Sequence, residues 1–141
     1  MSRIYWDSML FIYWLEDHPL FARRVAAIHS RMQERNDELI TSTFTFGEVL
    51  AGAYRRGARQ RADGTRSQLL SVVSEAVSFT VEVAEHYARI RGTLGVGAAD
   101  AIHLACAAQA RIDLFLTNDA ALIGKVIPGI HFIAGLESDV L

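Results

Sequence analysis

An α/β sandwich, a parallel-stranded central sheet flanked by helices, is the architecture this sequence predicts. Three observations predict it. Short β-prone runs alternate along the chain with stretches of helical periodicity, the pattern of strands laid parallel by helical crossovers. The stretch Gly97 to Ala110 is so rich in Ala, Ile and Leu that nearly every face of a helix there could be buried, which places it inside a core. Hydrophobic residues make up 51% of the chain and charged residues 21%, a compact globular composition. At 141 residues the chain can bury a proper core and reads as a single domain over 1–141.

The elements follow in order. Ile4-Tyr5-Trp6 is a β-prone run ended by Asp7, and Ser8 to Leu15 reads as a deeply buried helix. Pro19 suits the first turn of a second helix, because its missing N–H has no helical partner there. That helix should reach about Asn36, with Leu20, Val25, Ile28 and Met32 on one face and Arg23, Arg24, Arg31 and Arg35 on the other. Leu39 to Ser42 is strand-like, and Thr43 or Thr45 can cap a helix carrying Phe46, Glu48, Val49, Leu50 and Tyr54. Gly57 marks a break, Gly64 a joint between two helices, and Leu69, Leu70, Val72 and Val73 the apolar part of the second of them. Val77 to Thr80 alternates as a half-buried strand does, and Glu82 to Leu94 is amphipathic. After the apolar helix come a strand at Leu114 to Thr117, a turn at Asn118 and Asp119, and a short helix from Ala120 to Val126. A turn at Pro128-Gly129 leads into a last strand, Ile130 to Ile133.

The bulk properties narrow the function classes. A formal net charge of -2 gives no global attraction for nucleic acid, so polyanion binding requires a local patch. Lys125 is the one lysine among 14 basic residues, and arginine suits bidentate contacts to phosphate or carboxylate, although a high-GC genome produces the same bias. Cys106 is the lone cysteine, which rules out an intramolecular disulfide and fits a reducing compartment; in its apolar helix it reads as a small hydrophobe. The apolar run Met9 to Leu15 is too short for a membrane span or signal peptide and is flanked by Asp7, Glu16 and Asp17. A cytoplasmic protein is expected.

Four carboxylates share a setting that the other acids lack. Asp7, Glu48, Asp100 and Asp119 each lie among apolar residues, at an element boundary or on a core-facing helix. An ionised acid beside a core is costly unless it is paired, hydrogen-bonded or metal-bound. Each has a plain structural alternative. Asp7, Ser8 and Asp119 can cap helices or turns, Asp100 can favour the positive end of its helix dipole, and Glu48 can complete a capping box with Thr45. In an open α/β sheet, however, functional groups gather beyond the carboxyl ends of the strands, where Asp7 and Asp119 both fall. Acids that converge cannot all stay ionised without a cation, and an all-oxygen donor set selects a hard ion, Mg²⁺ or Mn²⁺. Such an ion can polarise a phosphoryl oxygen and activate water, which points to phosphodiester hydrolysis.

The segments that carry these acids are Ile4-Tyr5-Trp6-Asp7-Ser8, Thr41 to Gly52 around Glu48, Ala98-Ala99-Asp100-Ala101-Ile102-His103-Leu104-Ala105, and Phe115-Leu116-Thr117-Asn118-Asp119. Their combination, in this order and at these intervals, resembles the PIN-domain ribonucleases, and among them the single-domain VapC-type toxins of bacterial toxin–antitoxin pairs. The resemblance covers the whole chain and implies a PIN-like three-layer sandwich. It places Asp7, Glu48, Asp100 and Asp119 on the family's acidic positions and Thr117 on its hydroxyl position. It implies Mg²⁺- or Mn²⁺-dependent endonucleolytic cleavage of RNA such as transfer or ribosomal RNA, homodimerisation, and inhibition by a cognate antitoxin. Met9 departs from the pattern, since many members have a small polar residue there. Ser8 and Asn118, with Thr117, are expected to support the acids by hydrogen bonds.

Several residues invite roles that simpler readings cover. His103 lies one turn beyond Asp100 and reads as a packed, hydrogen-bonded core histidine in preference to a metal ligand. Trp6, Tyr13 and Trp14 could stack on bases but sit around the first strand and helix, where core packing is the expectation. Arg55, Arg56, Arg59, Arg61 and Arg66 face a single acid, Asp63, between residues 54 and 66; they form either a solvated face or a phosphate-contacting rim. Competing functions are a housekeeping PIN-type RNA-processing nuclease and a catalytically silent RNA- or protein-binding module on the same fold. An aspartyl-nucleophile phosphatase usually needs a second Asp two residues after the first, and position 9 is Met.

Overall fold

The computed structural model describes residues 1–56 and 59–141, with the side chains of 59 and 60 outside the described set. The expected break at Gly57 therefore lies outside the described residues, as does the side chain of Arg59. The strands are β1 (Arg3–Trp6), β2 (Glu38–Ser42), β3 (Glu75–Val77), β4 (Ile112–Leu116) and β5 (Ile130–Ala134). They form one sheet in the order β3-β2-β1-β4-β5, every pairing parallel. The helices are α1 (Ser8–Leu15), α2 (Ala22–Arg35), α3 (Thr43–Arg55), α4 (Arg59–Val72), α5 (Val81–Leu94) and α6 (Ala98–Ala110).

Strand alternation distributes the core between the two faces of the sheet. Tyr5, Ile40 and Phe115 point to one face and pack with α5 and α6, around Val83, Ile90, Leu104 and Ala105. Ile4, Trp6, Leu39, Leu114 and Leu116 point to the other and pack with Leu10, Phe11, Val25, Met32, Val49 and Leu69 of α1 to α4. The predicted three-layer sandwich is the observed one. The middle of α6 is buried, from Ala101 to Ala108 with Ile102 partly so, while Ala98, Ala99 and Gln109 are exposed; Cys106 is 1% exposed with its thiol pushed up to about 11 by burial. Such a thiol packs as a hydrophobe and is a poor nucleophile. No helix among the described residues is long and apolar enough to cross a membrane.

Several local expectations are corrected. Pro19 lies in a turn before α2, because Asp17 takes φ 51° and the His18 ring accepts the N–H groups of Leu20 and Phe21. Ser42, not Thr43 or Thr45, caps α3, its hydroxyl accepting from Thr45 N at 3.1 Å. Gly64 joins nothing: α4 runs straight through it. Leu70 faces solvent beside the buried Leu69. The third strand sits two residues earlier than expected, because Thr80 is needed to cap α5 through Val83 N. The short helix predicted at 120–126 is a run of turns, with Asp119 Oδ1 accepting Ala121 N and Gly124 at φ 86°.

The strand order places a switch point between β1 and β4. From β1 the chain winds outward through β2 to β3; from β4 it winds the other way to β5. The crossovers diverge there and open a crevice at the carboxyl ends of these two strands. Asp7 follows β1 and Thr117-Asn118-Asp119 follows β4.

Candidate active site

Asp7, Glu48, Asp100 and Asp119 line one cavity of about 410 Å³ at this crevice, together with Ser8 and His103. Asp7 caps α1: Oδ1 accepts Met9 N at 3.0 Å, and Oδ2 accepts the Thr117 hydroxyl at 2.5 Å. The same Thr117 oxygen accepts Asp119 N–H at 3.0 Å, so one fully buried hydroxyl ties the acid after β1 to the loop after β4. Asp100 sits in the first turn of α6 and Glu48 in the middle of α3. The capping alternatives for Asp7 and Asp119 are thus real hydrogen bonds, and they coexist with a place on the cavity wall.

The electrostatics differ from one acid to the next. Burial pushes the Asp7 carboxyl up, against the pull of the Thr117 hydroxyl and the Met9 N–H. Asp100 is also raised, first by burial and then by the charge of Asp119, with Glu48 adding to it. Glu48 goes the other way. Burial would raise it, but hydrogen bonds from His103 and Ser8 and the charge of His103 hold it below the ordinary carboxylate range. The cavity wall therefore carries more negative charge than it comfortably holds.

Whether these residues suit a hard cation can be judged from their donors. They are all carboxylate oxygens facing shared space, and mutual repulsion raises one of them. Among the described residues no three His, Cys, Asp or Glu side chains close into a tight cage. Mg²⁺ does not need one, since it keeps several waters and uses one or two carboxylates plus substrate oxygens. The donor set fits Mg²⁺ or Mn²⁺ and suits zinc poorly.

A scan of family models matches PIN domain over residues 4–125. The chain belongs to the PIN-domain family. Solved structures with the same fold include VapBC2 from Rickettsia felis bound to a DNA fragment from its promoter, at TM-score 0.76 and 15% identity, covering 94% of this chain and 98% of that one. A toxin–antitoxin complex from Klebsiella pneumoniae matches at TM-score 0.65 and 21% identity, covering 90% and 94%. VapBC-5 from Mycobacterium tuberculosis matches at 0.60 and 21%, covering 94% and 98%. Comparison with curated protein sequences finds no match.

Other expected site residues divide. In this PIN domain Ser8 supports Glu48 from the N-terminus of α1. Asn118 lines the cavity, but its amide donates to Tyr13 Oη at 3.1 Å and not to an acid. Tyr13 is a correction: its ring packs on His18 and Phe21, yet it also lines the cavity. Trp6 is fully buried, as expected. His103 is the packed, hydrogen-bonded histidine the sequence suggested, but its partners are Glu48 and Tyr5, which the sequence did not reveal. The signal was an apolar-flanked Glu48 in need of a partner.

The described arginines do not all line one depression. Arg56 and Arg61 line a separate groove of about 750 Å³ between α1, α3 and α4, where Arg56 pairs with Glu16. Arg55 and Arg66 are exposed and do not line it. Glu48 faces the acid cavity while its neighbour Val49 faces this groove, so the two depressions share the wall of α3.

Proposed function

We propose that this PIN domain is a VapC-type, metal-dependent endoribonuclease that acts as the toxin of a toxin–antitoxin pair in the cytoplasm. The observation that carries the reading is that Asp7, Glu48, Asp100 and Asp119 share one cavity at the switch point of a PIN-family sheet. When bound there, Mg²⁺ or Mn²⁺ would supply Lewis-acid polarisation of the scissile phosphate and activation of the attacking water. The chain's own residues do the arranging. Thr117 fixes Asp7 and the Asp119 loop together, and Ser8 and His103 keep Glu48 ionised.

A cation must displace the protons that burial and repulsion favour on Asp7 and Asp100. Mn²⁺ is therefore expected to raise the melting temperature at neutral pH and to raise it less as pH falls through the elevated values of these two acids. EDTA should abolish RNA cleavage. Cleavage that persists in EDTA, or a melting temperature indifferent to Mn²⁺ at every pH, would remove the metal from this reading.

Arg56 and Arg61, in the groove that shares the α3 wall with the acid cavity, are proposed to contact RNA phosphates there, and the exposed Arg55 and Arg66 to contact phosphates outside that groove; Arg59 is proposed for the same role. Arg61→Ala with Arg66→Ala should weaken RNA binding and lower the log–log salt slope by about 0.7 for each lost contact to a single strand. An unchanged slope, measured by fluorescence anisotropy across a salt series, would return them to a solvated face.

The toxin role draws support from the structural neighbours, two of which are named as VapBC proteins and one as a toxin–antitoxin complex. An antitoxin is the proposed inhibitor and a homodimer the proposed assembly. A basic inhibitor side chain suits the acid cavity, because an arginine matches its charge and can chelate a carboxylate through two hydrogen bonds.

A further inference from the structure

His103 sits between the core and the acid cavity with both ring nitrogens engaged. Nε2 lies 2.6 Å from Glu48 Oε1 and Nδ1 lies 2.8 Å from Tyr5 Oη. The ring is 3% exposed and is held by the edge of Tyr5, with centroids 5.9 Å apart, and by Phe44 at 5.4 Å. Tyr5 is itself immobile: it is fully buried and stacked on Phe115 at 5.0 Å. We propose that His103 is a positioning residue for Glu48, a donor fixed by Tyr5 that holds the carboxylate in place on the cavity wall.

The direction of the hydrogen bonds follows from the groups themselves. Burial keeps the Tyr5 hydroxyl protonated, so it has a proton to give, and His103 Nδ1 lies within hydrogen-bond distance of it. The phenol can then donate to Nδ1, which in the neutral ring leaves the proton on Nε2, aimed at Glu48. In the charged ring Nε2 is protonated as well. Either state presents the same donor to the carboxylate. With both nitrogens committed, the ring offers no lone pair to the cavity, which argues against a metal-ligand or general-base role. Glu48 needs such a partner: it is long, only partly buried, and would otherwise sample several rotamers.

This inference rests on the metal-nuclease reading of the four acids, and the experiment separates the two. The full-length protein is compared as wild type, His103→Leu, His103→Gln and Tyr5→Phe, measuring Mn²⁺ affinity, kcat and KM for RNA, and melting temperature. His103→Leu is expected to lose about 10–100-fold in Mn²⁺ affinity and kcat while KM holds, the usual cost of removing a group that orients a metal ligand. His103→Gln, whose amide can donate from near the Nε2 position, should recover much of that loss. In the metal-free wild type, ¹⁵N-histidine spectra should show Nε2 protonated, and Tyr5→Phe should admit the other tautomer. Wild-type affinity and kcat in His103→Leu would overturn the proposal. So would equal damage in the Leu and Gln variants that tracks a fall in melting temperature, because that is a packing effect. A wild type that neither binds Mn²⁺ nor cleaves RNA would overturn the parent reading, and this inference with it.

Discussion

Asp100→Asn is expected to abolish RNA cleavage, by at least about 100-fold, while leaving the fold intact. Asn keeps the shape of the side chain in the first turn of α6 but removes the charge with which it would hold a hard cation. A larger effect is expected here than the roughly 10–100-fold of a group that merely orients a ligand. Stability should move the other way. Burial, and then the charge of Asp119, raise the Asp100 carboxyl. An acid raised in the folded state contributes stability that is fully present below its unfolded value and is lost as pH rises through its folded one. At neutral pH the wild-type protein carries that repulsion and the Asn variant does not. Without metal, the variant should melt at or slightly above wild type, with the gap opening as pH rises. Its Mn²⁺-induced gain in melting temperature should disappear. Sequencing of RNA ends after induced expression of each protein, beside melting curves with and without Mn²⁺, reads both halves. Near-wild-type cleavage in Asp100→Asn would sink the assignment of this acid.

The four acids are legible in the sequence because each breaks the local rule of its surroundings. Asp100 is a carboxylate in a helix dominated by Ala, Ile and Leu, and Asp7 ends the β-prone run Ile4-Tyr5-Trp6. What periodicity could not supply is direction across the fold. Glu48 and His103 are 55 residues apart, and neither sequence neighbourhood says that their side chains meet. The same limit explains the displaced elements. Thr80 alternates correctly for a strand, but its hydroxyl is worth more as the cap of α5 than as one more residue in a three-residue edge strand. Ala120 to Val126 has helical composition, yet the Asp119 side chain takes the Ala121 N–H into a turn and Gly124 sits at positive φ. Gly64 suggests a joint between helices because glycine costs helix propensity, and the apolar anchor of Leu69 against the α1–α3 face outweighs that cost. Arg56 and Arg61 line the groove between α1, α3 and α4 while Arg55 and Arg66 do not, since successive residues of a helix point in different directions.

Thr117→Val should damage both stability and catalysis through a single hydroxyl. Val matches Thr in shape, so packing at this fully buried position is preserved and the polar loss is isolated. The hydroxyl donates to Asp7 Oδ2 at 2.5 Å and accepts Asp119 N–H at 3.0 Å. Its removal strands a buried carboxylate oxygen and an N–H together. Hydrogen bonds to charged groups contribute about 1.5–3 kcal/mol, and a loss of that order is expected at neutral pH. The pH dependence gives the sign. Burial already raises Asp7, and Thr117 is the strongest influence pulling it back, so the variant should raise it further. Stability that is present below the unfolded value and lost as pH rises through the folded one is then lost in larger measure. The melting temperature of Thr117→Val should fall further behind wild type as pH rises and approach it in acid, where Asp7 is protonated in both. The acid limb of kcat/KM should move to higher pH by the same cause, because that profile reports groups of the free enzyme. At neutral pH the rate should drop about 10–100-fold, and Thr117→Ser, which restores the hydroxyl, should regain most of it. If Thr117→Val melts with wild type at every pH and keeps its acid limb, the hydroxyl does not set the charge state of Asp7. The link between the carboxyl ends of β1 and β4 would then be structural alone.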